Sequence, residues 1–145
     1  MIDFKEQDEP DLRSEQECFP DVDPGIEILG DRVLVQLRRE KVTSKGGIYL
    51  VEETRQTLKF NETVAKVRGI GPLAYKNPDD LTPWPEGNWC HVGDLVRTIK
   101  YGGDRFVVQP NDNGAAVVFI TLQAREVISK IKTFEAAQKM KAFVD

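Results

Sequence analysis

Few side chains in this sequence have the chemistry for catalysis or metal binding. There is one histidine, His91, and there are two cysteines, Cys18 and Cys90. With a single imidazole, a His₂ or His₃ metal site is impossible within one chain, and a Ser-His-Asp triad has only His91 to use. The cysteines stand 72 positions apart and neither belongs to a CxxC pair, so there is no zinc or redox motif. Two lone thiols fit a reducing cytoplasm better than a secreted disulfide scaffold. Cys90 and His91 are adjacent, which has the makings of a nucleophile–base pair. Neighbours on a strand point to opposite faces, so the two are expected at a strand edge and not in contact. Gly69-Ile70-Gly71-Pro72 lacks the third glycine and the lysine of a phosphate loop, and it follows a strand without opening a helix. Carboxylates are plentiful, but they gather near the N-terminus and in turns and nominate no acid–base pair. These residues imply a protein that is not an enzyme, with no catalytic residues, no cofactor and no metal.

The pattern that stands out is one of binding. Residues 40–62 read EKVTSKGGIYLVEETRQTLKFNE and separate two strand-like runs. Hairpin loops normally take about 2–5 residues, so one of roughly 20 is unusual and tends to be functional or disordered. Inside it, polar residues and Gly46-Gly47 flank an isolated apolar triplet, Ile48-Tyr49-Leu50. Such a triplet on a polar arm suits entry into a groove on another protein. A β-arm folded back on its own barrel suits it equally.

The surrounding elements are mostly strands. Residues 28–37 (ILGDRVLVQL) alternate Val33, Val35 and Leu37 with Arg32, Leu34 and Gln36, which predicts a strand with one buried face. Residues 63–67, 94–101, 105–109 and 115–122 read as further strands, punctuated by Gly69, Gly71-Pro72, Gly93-Asp94 and Gly102-Gly103. Asn111-Asp112-Asn113-Gly114 predicts a hairpin turn. No convincing helix precedes residue 123, so a small antiparallel β-barrel or sandwich is expected. Near the C-terminus Val127, Ile131, Phe134, Ala137, Met140 and Val144 recur every three or four residues. That spacing predicts an amphipathic helix over about 132–143, with residues 125–131 open between helix and strand.

Length and charge complete the outline. At 145 residues and 30% charged side chains, the chain suits one domain. No run approaches the roughly 18–20 apolar residues of a membrane span, and the acidic N-terminus does not read as a secretory signal. A net charge of −4 argues against a nucleic-acid partner. Charge is uneven: residues 1–24 hold nine acids against Lys5 and Arg13, a net of −7, which leaves +3 for the other 121. That acidic segment has scattered apolar residues and three prolines, so alone it is expected to be solvated or loosely attached. Phe4, Leu12 and Phe19 are its possible anchors.

The order of these features resembles the GroES-type (chaperonin-10) co-chaperonins, with a nearest likeness to the short versions of bacteriophage genomes. The motifs are DRVLV in the first strand, GGIYL in the long loop, VRGIGPLAYK at a strand end, VGDLV and KYGG. The likeness covers residues 26–131, which leaves an acidic N-terminal arm (1–25) and a C-terminal helical extension (132–145). It implies a GroES-like antiparallel β-barrel in a homo-oligomeric ring, usually a heptamer, in the cytoplasm or the host cytoplasm. It implies a GroEL-type chaperonin as partner, with Ile48, Tyr49 and Leu50 as the docking tip and Gly46 and Gly47 as the turn behind it. Residues 72–90, with Trp84 and Trp89, would form a roof loop. Val127, Ile128 and Ile131 would belong to a final strand that pairs with a neighbour's first strand near Ile26 and Ile28. The acidic arm, the basic helix and the long Trp-bearing roof depart from the simple family pattern. Those departures also suit a structural protein of a virus particle, with a viral capsid protein as partner.

Overall fold

The computed structural model describes residues 12–39, 62–110 and 116–141. Six strands form one sheet: β1 (Arg32–Leu37), β2 (Val64–Ile70), β3 (Leu95–Thr98), β4 (Asp104–Val108), β5 (Val117–Gln123) and β6 (Val127–Lys130). Their spatial order is β4-β5-β1-β2-β3-β6, and every pairing is antiparallel. A short helix, α1 (Glu15–Cys18), precedes the sheet and α2 (Phe134–Lys139) follows it. This is the small all-β architecture that the sequence predicts. The ambiguous residues 125–131 resolve into a 3₁₀ turn (Ala124–Glu126) and β6. Val127 therefore faces the sheet interior as a strand residue and is not part of the helical stripe. The predicted hairpin turn at 111–114 lies outside the described residues.

The period of two in the strands builds two cores. Val33, Val35 and Leu37 of β1 point one way, with Ala65 and Val67 of β2, Val96 of β3, Val118, Ile120 and Leu122 of β5 and Val127 of β6. Val96 and Leu122 lie on different sides of β1 in the strand order yet share this cluster, so the sheet curls around it. Leu34, Val117 and Phe119 point the other way, against Val22, Ile28, Phe106 and Val108. β1 is therefore buried on both faces, not on one. Even Gln36 is fully buried; its amide donates to the Pro20 carbonyl (2.9 Å) and accepts from Arg68 Nε (2.8 Å).

The second face is covered because the described part of the acidic segment is attached. α1 opens with a capping box: Ser14 Oγ accepts from the Glu17 amide (3.1 Å), and the Glu17 carboxylate accepts from the Ser14 amide (3.2 Å). Cys18 and Phe19 are both 1% exposed, in a cluster with Val64, Leu95, Ile131 and Ala137. Glu15 pairs with Lys66 (3.4 Å) and Asp21 with Arg68 (3.2 Å), so part of the arm's negative charge is met by cations on β2. The expectation of a solvated tail is thus corrected for residues 12–24, and residues 1–11 lie outside the described residues.

The C-terminal helix is shorter than its periodicity predicts. It starts at Thr133, whose hydroxyl accepts from the Ala136 amide (3.0 Å), and it stops when Met140 turns extended. Phe134, Ala137 and Met140 pack beside Ile131 as the stripe implies, while Val144 lies outside the described residues.

One turn depends on a missing side chain. Gly103 has φ +75°, and a Cβ there would meet Ile120 Cγ2, Leu122 Cδ2 and the Thr121 carbonyl oxygen, each at 2.7 Å. Left-handed backbone costs an L-residue about 1–2 kcal/mol, and overpacking typically adds about 1–3. Gly103→Ala should therefore destabilise the fold by about 2 kcal/mol or more in urea denaturation. An unchanged midpoint would show that β4 and β5 can separate without cost.

Candidate functional site

The two ends of the 40–61 segment leave the sheet side by side. β1 ends at Leu37, β2 begins at Val64, and the Arg38 amide donates to the Val64 carbonyl (3.0 Å). The predicted tip, Gly46, Gly47, Ile48, Tyr49 and Leu50, lies outside the described residues. The root below it is heavily bonded. Arg38 is buried; its Nε and Nη2 donate to Glu62 (3.2 and 3.1 Å). Its Nη1 donates to the Ala137 carbonyl (2.7 Å) and its Nη2 to the Met140 carbonyl (2.8 Å). These carbonyls close the C-terminal end of α2: that of Ala137 also accepts from the Met140 amide (3.0 Å), and Met140 is the first residue past the helix. On the other side the Arg39 amide donates to the Cys18 carbonyl (3.0 Å), and Arg13 Nη2 donates to the Arg39 carbonyl (2.9 Å).

Sequence reasoning missed Arg38 and Glu62, because charges flanking a polar loop read as solvated. A residue signal did exist: an arginine one step past a strand and a glutamate two steps before the next are diagonal neighbours in an antiparallel pair, because Arg38 falls opposite Val64. Burial pushes the Glu62 carboxyl above its ordinary value, while Arg38 and the Val64 amide pull it back. A carboxyl with a raised folded-state pKa binds its proton more tightly folded than unfolded. Its contribution to stability is thus most favourable below the unfolded pKa and declines as pH rises through the folded pKa. Glu62→Gln lacks that slope. In urea denaturation from about pH 4 upward, wild-type stability should fall relative to Glu62→Gln. A constant difference across the series would count against the raised pKa.

Trp84 and Trp89 sit at the base of the 72–90 segment, turned toward the sheet core. With Tyr75 they form an aromatic cluster, ring centroids 5.2–5.5 Å apart. Tyr75 holds a left-handed backbone (φ +61°), and its hydroxyl donates to the Ala124 carbonyl (3.0 Å). Residues 76 and 83 bridge above this base; residues 77–82 between them are exposed, and Leu81 is the large apolar side chain among them. Cys90 is buried 3.4 Å from the Tyr75 hydroxyl, whereas His91 is exposed with Nδ1 3.8 Å from Asp94. Burial also pushes the Cys90 thiol up, away from a reactive thiolate.

The residues expected at a subunit interface fall into two groups. Ile26 is 47% exposed and Ile128 61%, while Ile28 is half-buried against the Leu34 cluster. Val127 and Ile131 are buried within their own chain, so they shape β6 from inside. β1 is bonded on both sides, so its ladder edges are closed to a neighbour. Residues 21–29 belong to no described ladder, and among the described residues β6 pairs only with β3. Beside β6 lies a cleft of about 370 Å³ lined by Glu86, Asn88, Trp89, Ile128 and Lys130. Among the described residues, no three His, Cys, Asp or Glu side chains are placed to hold a metal ion. No helix among them is long and apolar enough to cross a membrane.

Residues 25–131 match the family model described as the chaperonin 10 Kd subunit. The chain belongs to this family. Co-chaperonin GroES of Chlamydia pneumoniae is 30% identical over 107 residues, spanning 74% of this chain and 91% of the relative. Co-chaperonin GroES of Chlamydia muridarum is 29% identical with the same coverage. That of Chlamydia felis is 29% identical over 104 residues, spanning 72% of this chain and 88% of the relative. The chaperonin-10 span takes in all six strands, both ends of the 40–61 segment and the aromatic cluster. It leaves out α1 and α2.

Proposed function

We propose that this chain is a co-chaperonin subunit that works without catalysis in the cytoplasm, capping a GroEL-type chaperonin and assisting ATP-dependent folding. The observation that carries the proposal is the loop root. A chaperonin-10 span folds into one sheet, and residues 38 and 64 within it are hydrogen-bonded at 3.0 Å. The two ends of the 40–61 segment thus start from one place on the subunit. Its Ile48-Tyr49-Leu50 triplet supplies apolar surface for a groove on the chaperonin, behind the turn at Gly46 and Gly47. Residues 76–83 form the roof tip, with Trp84 and Trp89 bracing its base.

Subunits assemble into a ring, for which seven copies is the family expectation. Residues 21–29, which join no described ladder and leave Ile26 exposed, lie against the open edge of β6 and Ile128 of the next copy. Ladder pairing across copies would satisfy both edges, which are otherwise open to uncontrolled association. The test is to mix the purified chain with a GroEL-type chaperonin and ATP. Co-sedimentation as a defined ring complex, with the chaperonin's ATPase slowed, is the expected result. A chain that stays monomeric and never binds the chaperonin would refute the proposal.

A further inference from the structure

Residues 12–24 and 132–141 lie outside the chaperonin-10 span, yet they meet each other at the root of the 40–61 segment. Cys18 and Phe19 of the arm share a buried cluster with Phe134, Ala137 and Met140 of the C-terminal extension. Gln138 Nε2 donates to the Arg13 carbonyl (3.3 Å), which ties the two extensions directly. The arm then takes the outgoing end of β1, through the Arg39 amide to Cys18 and the Arg13 side chain to Arg39. The C-terminal extension takes both ends at once, because Arg38 spans Glu62, Ala137 and Met140. Arg38 and Glu62 are each other's neutralising partner in a buried site, so neither is easily lost alone.

We infer that the two terminal extensions form a clamp that fixes both ends of the 40–61 segment, with Arg38 as the positioning residue joining them. The clamp holds residues 38–39 and 62–64 in one arrangement before anything binds. A segment whose ends are already ordered loses less freedom when its middle docks, so the clamp raises affinity without touching the partner. That last step rests on the co-chaperonin reading; the clamp itself does not.

The test uses the full chain carrying Arg38→Gln with Glu62→Gln, which removes both buried charges together and the reach to α2. The first readout is hydrogen exchange at the Arg39 and Val64 amides, with Val35 and Ile120 as core references. The second is labelling of Cys18, with Cys90 as the internal control. The third is affinity for a GroEL-type chaperonin. The clamp predicts exchange at Arg39 and Val64 about tenfold faster or more, quicker Cys18 labelling, and unchanged core amides and Cys90. It predicts an intact oligomer whose chaperonin affinity falls about tenfold or more. Arg38→Lys, which keeps the charge but not the planar fork, should fall between the variant and wild type. Should the paired variant fail to fold, Arg13→Gln, which removes the bond to the Arg39 carbonyl without emptying a core site, loosens the clamp from the arm side and is read in the same way. Unchanged exchange at Arg39 and Val64 overturns the clamp, whatever binds. Faster exchange with unchanged affinity overturns its effect on docking. A wild-type chain that binds no chaperonin overturns the co-chaperonin reading instead, and the exchange arm still decides the clamp.

Discussion

Replacing Ile48 and Leu50 by alanine is expected to abolish capping of a chaperonin while leaving the oligomer intact. Full burial of such a side chain contributes roughly 1.5–3 kcal/mol, and truncation forfeits most of it in every subunit. Ordering a free segment on binding costs about 2–5 kcal/mol, so a single loop binds weakly and a ring binds tightly only because its loops act together. A loss repeated around the ring therefore compounds. Native mass spectrometry should show wild-type stoichiometry, while co-sedimentation with the chaperonin and slowing of its ATPase should both disappear. A double variant that still caps would remove this triplet as the docking element.

Phe19→Ala is expected to be the most damaging single substitution in the extensions. The ring is 1% exposed and wedged among Val64, Leu95, Ile131 and Ala137. Emptying such a site costs about 3–5 kcal/mol, with partial collapse of the neighbours setting where in that range it falls. Thermal melts should drop by roughly 10 °C or more. Limited proteolysis should then cut within residues 12–24 before it cuts the sheet. A variant that melts like wild type and resists cleavage there would mean that the arm adds nothing to stability.

The strands were legible because β-branched residues at a period of two leave a clear trace, as Val33, Val35 and Leu37 do. The second buried face of β1 was not, since Gln36 reads as a solvent residue. Its burial depends on Pro20 and Arg68 arriving from 16 and 32 residues away. α1 has four residues, too few for any periodicity, and its capping box is satisfied within an acidic stretch that otherwise reads as solvated. Met140 lies on the predicted helical stripe, but the chain turns extended there, where Arg38, a hundred positions upstream, donates to the Ala137 and Met140 carbonyls. The strand pattern was thus local information. The root of the loop was not, being assembled from four segments that no sequence window contains together.

That assembly sets an order of events during synthesis. Arg38 reaches partners 99 and 102 positions later in the chain. At about 5–20 residues per second, it waits roughly 5–20 s for them to be made. β1 likewise waits for β5 before its second ladder can form. A nascent chain can pair β1 with β2 early, but the contacts that secure the loop root are completed only once residues 137–140 have been made. A subunit truncated before residue 137 would keep its strands and lack this last fastening. Synthesis of residues 137–140 is thereby linked to the part of the molecule proposed to meet its partner.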